Sequence, residues 1–350
     1  MKKSLIALAV AGTFVAAPAF AATSNVDVYG RMNISIEDSN GTDVTPQVTD
    51  RQSFVGVKGS EDLGGGLKAI WQIESTISAG YSDGVGGATL AGRNSFVGLS
   101  GGFGTVLAGR HDTPYKLSTG RLDLFADTVA DYNGDGAALA TTGKDGFTQL
   151  VMAAHDHRSN NAVAYVSPSF GGFSFAAAVV MTNRNTGAGL IGVDDNDANK
   201  TFDATSLSGT YANGPLFLTG AYQHAADLSI AAGETKSPAW KLGAGYSFGD
   251  AKVGFIFEDV EVETGGVKST DRTSWMLNAG YGMGPLTLKA QYGIVNDKMA
   301  ANLDQSKFSL GADYALSKRS SAGFAYTTDK TKNNASGSAN AWGVQMRHSF

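Results

Sequence analysis

The chain has 350 residues, 46 of them Gly and none Cys, with 42% hydrophobic and 17% charged residues. That composition supports a large core and excludes disorder, and the missing Cys excludes a disulfide scaffold and thiolate metal ligation. A formal charge of −5 and a pI near 5.5 remove the basic field that a nucleic-acid partner demands.

Residues 1–21 read as an address rather than as part of the fold. Lys2 and Lys3 form a positive start, Leu5 to Val15 an apolar run, and Ala19-Phe20-Ala21 a small-x-small cleavage site. Together they predict a secretory signal peptide, with one domain over 22–350. Beyond Ala22 the longest apolar run, Phe175 to Met181, falls far short of the roughly 20 residues of a membrane helix.

Alternation takes the place of long apolar runs. In the stretch from Val26 to Glu37, even positions are apolar or Gly and odd positions mostly polar, and Leu67 to Glu74 repeats the pattern. Only a period-2 strand separates those sets onto two faces. Short turn signals at 62–66, 101–102, 171–172, 213–214, 249–250, 282–284 and 317–319 alternate with longer polar stretches. The latter fall near 39–50, 80–91, 112–157, 183–202, 225–237, 263–271, 296–305 and 329–338. Seven turns and eight loops separate sixteen strands, at roughly 21 residues per strand with its connection. The fold expected is all-β: a sixteen-stranded antiparallel transmembrane barrel with short turns at one end and long loops at the other. A soluble sandwich is the competing reading, but lipid forces every backbone group to pair, which a uniform meander achieves.

The third loop carries the first candidate site. Asp123, Asp127 and Asp131 lie at i, i+4 and i+8, one acidic stripe on a helix, with Leu122, Phe125 and Val129 on the opposite side. Such a helix would pack on a barrel wall and turn its acids to the lumen. Asp131, Asn133 and Asp135 match the first half of a calcium loop, but Thr142 replaces the bidentate carboxylate, so no metal is expected. His155 and His157, with His111, lack a further evident ligand and read as a loop tip. Gly98 to Gly102 fits G-x-S-x-G and Gly187 to Gly192 fits G-x-G-x-x-G; neither has the following helix that those motifs need. No catalytic residue and no cofactor are expected.

At the chain end Trp342, Val344, Met346, His348 and Phe350 share one parity and Gly343, Gln345 and Arg347 the other, which gives a lipid-facing last strand. Tyr246, Phe248, Tyr281, Trp240, Trp275 and Trp342 suit interfacial girdles. The runs Val26 to Arg31, Gly56 to Gly64, Asn161 to Pro168 and Arg347 to Phe350 closely resemble the trimeric general porins of Gram-negative bacteria, and the resemblance covers the chain from 22 onward.

What the resemblance implies is a homotrimer in the outer membrane, in contact with lipid and lipopolysaccharide, whose third loop folds inward to narrow each pore. It implies passive diffusion of small hydrophilic solutes and ions, and a basic cluster at Arg31, Lys58, Arg93 and Arg158 facing the acidic stripe. Phe54 departs from it, standing where many similar porins carry an arginine. The alternatives are a substrate-specific channel and, more remotely, an outer-membrane hydrolase. Acids at Asp194 to Asp197 and at Glu258 to Glu263 predict a negative mouth and a weak cation preference that grows at low salt.

Overall fold

The computed structural model describes residues 25–39, 46–80, 90–133, 150–151, 155–181, 202–226, 235–299, 304–332 and 338–350. The expected leader over 1–21, the Gly187 to Gly192 motif, Asp135 and the acids Asp194 to Asp197 lie outside the described residues.

Strands follow one another in a meander: β1 (Asn25–Ser39), β2 (Gln47–Asp50), β3 (Phe54–Gly64), β4 (Leu67–Thr76), β5 (Ser95–Gly101) and β6 (Gly104–Asp112). A short helix α1 (Pro114–Thr119) opens the third loop. Then come β7 (Arg158–Val166), β8 (Phe173–Met181), β9 (Phe202–Asn213), β10 (Leu216–Ala226), β11 (Thr235–Phe248) and β12 (Ala251–Thr264). The meander ends with β13 (Val267–Met283), β14 (Leu286–Asp297), β15 (Gln305–Ala315), β16 (Ser320–Thr331) and β17 (Ser338–Ser349).

Pairing is antiparallel throughout, and β2 and β3 are two halves of one stave. β2 pairs with Ile34 to Glu37 of β1, and β3 pairs with Asn25 to Arg31 of the same strand. The result is a sixteen-stave barrel, closed where β1 meets β17 from Arg31↔Ser349 to Ser39↔Ala341. Phe350 completes the seam: its N–H donates to the Gly30 carbonyl at 3.1 Å, and its carbonyl accepts from Gly30 N–H at 3.0 Å.

The polarity of the wall is inverted relative to a water-soluble protein. Val26, Val28, Ile36, Val97, Leu277, Val344 and Met346 are exposed, whereas Asn33, Glu37, Lys241, Gln291 and Lys307 are buried. An apolar exterior and a polar interior on one alternating strand set suit lipid outside and water inside, which a soluble sandwich does not need.

The seven short turns fall where the sequence placed them. One expected loop does not form. Instead of a loop over 263–271, β12 and β13 continue to a two-residue turn at Gly265 and Gly266, whose φ of 57° and 78° only Gly adopts readily. The expected helix over 121–131 is also absent. A 3-10 turn at Gly120–Leu122 leads into successive turns, with Asp127 at φ 58°.

Short polar side chains compete with the helix there. Asp123 Oδ1 accepts from Phe125 N–H at 2.8 Å, Thr128 Oγ1 donates to the Phe125 carbonyl at 2.7 Å, and Asp131 Oδ2 accepts from Asp127 N–H at 2.8 Å. The helix that does form, α1, starts at Thr113, whose Oγ1 accepts from Lys116 N–H at 3.3 Å, with Pro114 in the first turn.

Candidate pore constriction

The third loop is held against the inner wall by shape and by hydrogen bonds. Wall glycines leave sockets for its apolar side chains. A Cβ on Gly243 or Gly245 would come within 2.7 or 2.8 Å of Leu122, one on Gly311 within 2.8 Å of Phe125, and one on Gly293 within 2.6 Å of Leu150. Val129 packs beside Gly343 and Leu124 beside Gly280. Leu122, Phe125 and Val129 are therefore buried on the wall, as their spacing predicted, although no helix carries them.

Side-chain donors then take the loop's carbonyls almost one by one. Asn278 donates to Leu122 O at 2.7 Å, Lys289 to Leu124 O at 2.8 Å, Arg347 to Ala126 O at 3.1 Å and Asn33 to Asp127 O at 3.0 Å. Gln291 donates to Ala130 O at 3.3 Å and Lys307 to Asp131 O at 2.8 Å. These donors come from β1, β13, β14, β15 and β17, far around the barrel from the β6 and β7 between which the loop is strung. A segment touching the polar parity of all five strands lies within the barrel. Backbone carbonyls that would need water are paired by the wall, which fixes the loop's height and path.

The three carboxylates expected on one stripe part company. Asp127 reaches Arg31 Nη1 at 2.8 Å and lies 3.9 Å from Arg347 Nη2. Asp123 and Asp131 turn into the loop. Burial lifts the Asp123 carboxyl to about 6 against opposing hydrogen bonds from the Phe125 and Tyr132 backbone, and Asp127 adds to the rise. Burial also raises Asp131 well above the usual carboxylate range, with the charges of Asp123 and Asp127 acting in the same direction.

From Asp127 the lumen wall continues as an arc of guanidiniums with partners behind them. Arg93 bonds to Glu74 and donates to Gln52 Oε1 at 2.8 Å. Arg158 reaches Asp112 at 3.1 Å and Asn94 Oδ1 at 2.7 Å. Three of the four expected basic residues thus join one arc. Lys58 does not: its ammonium sits 4.9 Å from the Tyr29 ring centroid, and it is exposed.

Three members were missed. Arg347 lies in the seam itself, paired with Asn33. Its polar parity in the last strand was the available signal. Arg110 donates to Gly92 O and Asn160 Oδ1, both at 2.7 Å, and Arg51 pairs with Glu37. Both sit at strand ends, where alternation had already lapsed.

His155 is not a loop tip. It is buried with Nε2 2.7 Å from Ser237 Oγ, and its carbonyl accepts from Gln223 at 3.0 Å. Burial, with the His157 charge secondary, depresses the imidazole to about 3, so it is neutral at any physiological pH. Next to it Asp156 bonds Lys241 at 2.8 Å, with both side chains buried. The returning limb of the loop is anchored here, where a tip would be free. For the half calcium loop, Asp131 Oδ1 accepts from Asn133 N–H at 3.1 Å and Asn133 Nδ2 donates to Asp156 at 3.3 Å, an internal turn. Among the described residues no group of three or more His, Cys, Asp or Glu side chains could hold a metal ion. Gly98 to Gly101 lies on β5, and β6 follows directly, so the G-x-S-x-G match forms no nucleophile elbow.

A closed barrel with a lipid-suited exterior and a charged, loop-bearing interior defines an outer-membrane channel. The family profile described as Gram-negative porin matches residues 6–334, and the chain belongs to that family. It is 31% identical to the major outer membrane protein P.IB of Neisseria meningitidis serogroup B, over all of both chains. It is 32% identical to the outer membrane porin protein 32 of Delftia acidovorans, over 91% of this chain and 87% of that one. Among solved structures, an anion-selective porin from Comamonas acidovorans superposes with a TM-score of 0.78 at 25% identity, covering 93% of this chain and 100% of that one.

Porins are channels and not enzymes, so the hydrolase alternative falls. The chain forms a water-filled channel through the outer membrane of a Gram-negative bacterium for passive diffusion of small hydrophilic solutes and ions. The lumen removes the desolvation cost of crossing lipid, and no reaction is required.

Proposed function

We propose that the chain is a general porin whose narrowest point lies between Asp127 of the third loop and an arginine arc on the wall, and that it passes anions in preference to cations. The arc holds Arg31, Arg51, Arg93, Arg110, Arg158 and Arg347 against Glu37, Glu74, Asp112 and Asp127, an excess of two positive charges. Asp123 and Asp131, the other two acids of the expected stripe, act from inside the loop and add little field while protonated. Lys58 contributes at a distance, below the arc.

The expected cation preference rested on an acidic mouth. Glu258 instead lies buried 3.5 Å from Arg272, Asp259 pairs with Lys298 at 3.0 Å, and Glu261 with Lys268 at 3.0 Å. Neutralised acids gather few cations. The relative described as anion-selective agrees in sign.

The single observation that carries the reading is the Arg31–Asp127 bridge with Arg347 beside it, because it places opposite charges from loop and wall on one level of the lumen. In the membrane three copies pack through their apolar outer walls, with lipid around them and lipopolysaccharide against the outer leaflet. A reversal potential in a potassium chloride gradient tests the constriction. Anion preference should fall in Arg31→Ser with Arg347→Ser and rise in Asp127→Asn. No shift in either would remove these residues from the constriction.

A further inference from the structure

The stave formed by β2 and β3 is broken at Arg51, Gln52 and Ser53, at the level of the arginine arc. The break is built rather than loose. Asn33 Nδ2 donates to Arg51 O at 2.8 Å, Arg51 N–H donates to Asn33 O at 2.8 Å, and Asn33 N–H donates to Ser53 Oγ at 2.9 Å. Asp50 Oδ1 accepts from Ser53 N–H at 2.8 Å. Between these ties Gln52 is held at φ 64°, a left-handed conformation uncommon for a residue other than Gly. Strain of that kind persists only where surrounding bonds over-determine it, and it gathers at functional sites.

What the break presents to the lumen is a pair of acceptors and a ring. The Gln52 carbonyl accepts from Arg31 Nη2 at 3.0 Å, and its side-chain oxygen accepts from Arg93 Nη1 at 2.8 Å. Phe54, the next lumen-facing residue, has Arg31 5.4 Å and Arg93 4.8 Å from its ring centroid. Tyr29 fixes the ring edge-on at 6.0 Å and spends its hydroxyl on Glu74, the carboxylate that also holds Arg93. One ring and the two carbonyl oxygens of Gln52 therefore serve two guanidiniums that would otherwise repel each other. An aromatic face attracts both, and the two Gln52 oxygens fix their rotation.

We infer that Gln52 and Phe54 are positioning residues: they hold Arg31 and Arg93 as two aligned rungs of the anion path. The inference rests on the proposed constriction and adds to it the means by which its two central cations are held in place.

The test is single-channel recording of the full protein in planar bilayers, with heat-modifiable gel migration as the check on folding. Phe54→Leu keeps bulk and removes the aromatic face. It should lower the chloride-over-potassium permeability ratio on the order of twofold and raise open-channel current noise, as freed guanidiniums change rotamer. Phe54→Trp should restore both readings. Gln52→Gly, which relaxes the backbone and deletes only the side-chain acceptor, should raise noise without lowering folded yield. Arg31→Ser and Arg93→Ser run in parallel. If they shift the ratio while Phe54→Leu and Gln52→Gly behave as wild type, the positioning role is wrong and the constriction stands. If the arginine variants also leave the ratio unchanged, the constriction reading fails and this inference fails with it.

Discussion

Asp123, Asp127 and Asp131 are spaced alike in sequence, yet only Asp127 meets a wall arginine. The cause is local. Its left-handed φ of 58° turns it out of the loop, while its neighbours close Asx-type bonds back onto the backbone at Phe125 and Asn133. Spacing revealed that acids gather here and could not reveal which would be spent on the loop itself. A pH dependence follows from the difference. Because burial raises the Asp123 carboxyl to about 6, it is neutral below that pH and anionic above it. Wild-type anion preference should therefore decline between pH 5 and pH 7.5, and Asp123→Asn should hold its pH 5 value across that range in reversal-potential measurements. The linkage runs the same way for loop docking. A carboxyl raised in the folded state stabilises it most below its unfolded value near 4, and that contribution is lost as pH rises through about 6.

The third loop and its wall form one element in practice. Their contacts join residues 156, 176 and 221 positions apart, so no local pattern could show them. The sequence shows the wall glycines only as members of a count of 46, which does not tell a socket from a turn. Two variants separate shape from hydrogen bonding. A side chain at Gly245 meets Leu122 at 2.8 Å and barrel atoms no nearer than 3.7 Å, so Gly245→Val should push the loop into the lumen and reduce single-channel conductance while folded yield stays near wild type. Lys307→Met deletes a fully buried ammonium and its bond to Asp131 O. It should cost ~1–3 kcal/mol of barrel stability and increase current noise. By contrast the seven short turns needed no distant information: Gly or Asn sets six of them, and in the seventh Ser317 Oγ accepts from Arg319 and Ser320 N–H at 3.1 and 3.0 Å. The hairpin at Gly265 and Gly266 was obscured by the charged residues around it. Those charges pair within the hairpin, Lys268 with Glu261 across the two strands and with Asp271 along its own, and a hairpin can hold them as well as a loop can.

At the scale of the whole molecule, the count of turns and loops determined the strand number, and period-2 alternation the apolar exterior and the parity of the last strand, with Val344, Met346 and Phe350 all exposed outward. The seam was less legible. Phe350 both pairs with Gly30 and lays its ring where a Gly30 side chain would have to be, since a Cβ there would come within 2.5 Å of the ring. Deleting Phe350 should lower the yield of folded trimer, read as heat-modifiable migration, without changing the conductance of pores that do form. An unchanged yield would reject a closing role for the terminal residue.

We propose that the water-filled pore is trimeric and narrows at an arginine-rich constriction. Recording purified protein in a planar bilayer under a salt gradient tests it most directly. The account predicts conductance appearing in sets of three steps, rising with salt without saturation, and a reversal potential of the sign that favours chloride. Absence of conductance from protein shown to be folded would contradict the channel. A reversal potential that favours potassium would contradict the arginine arc as its selective element.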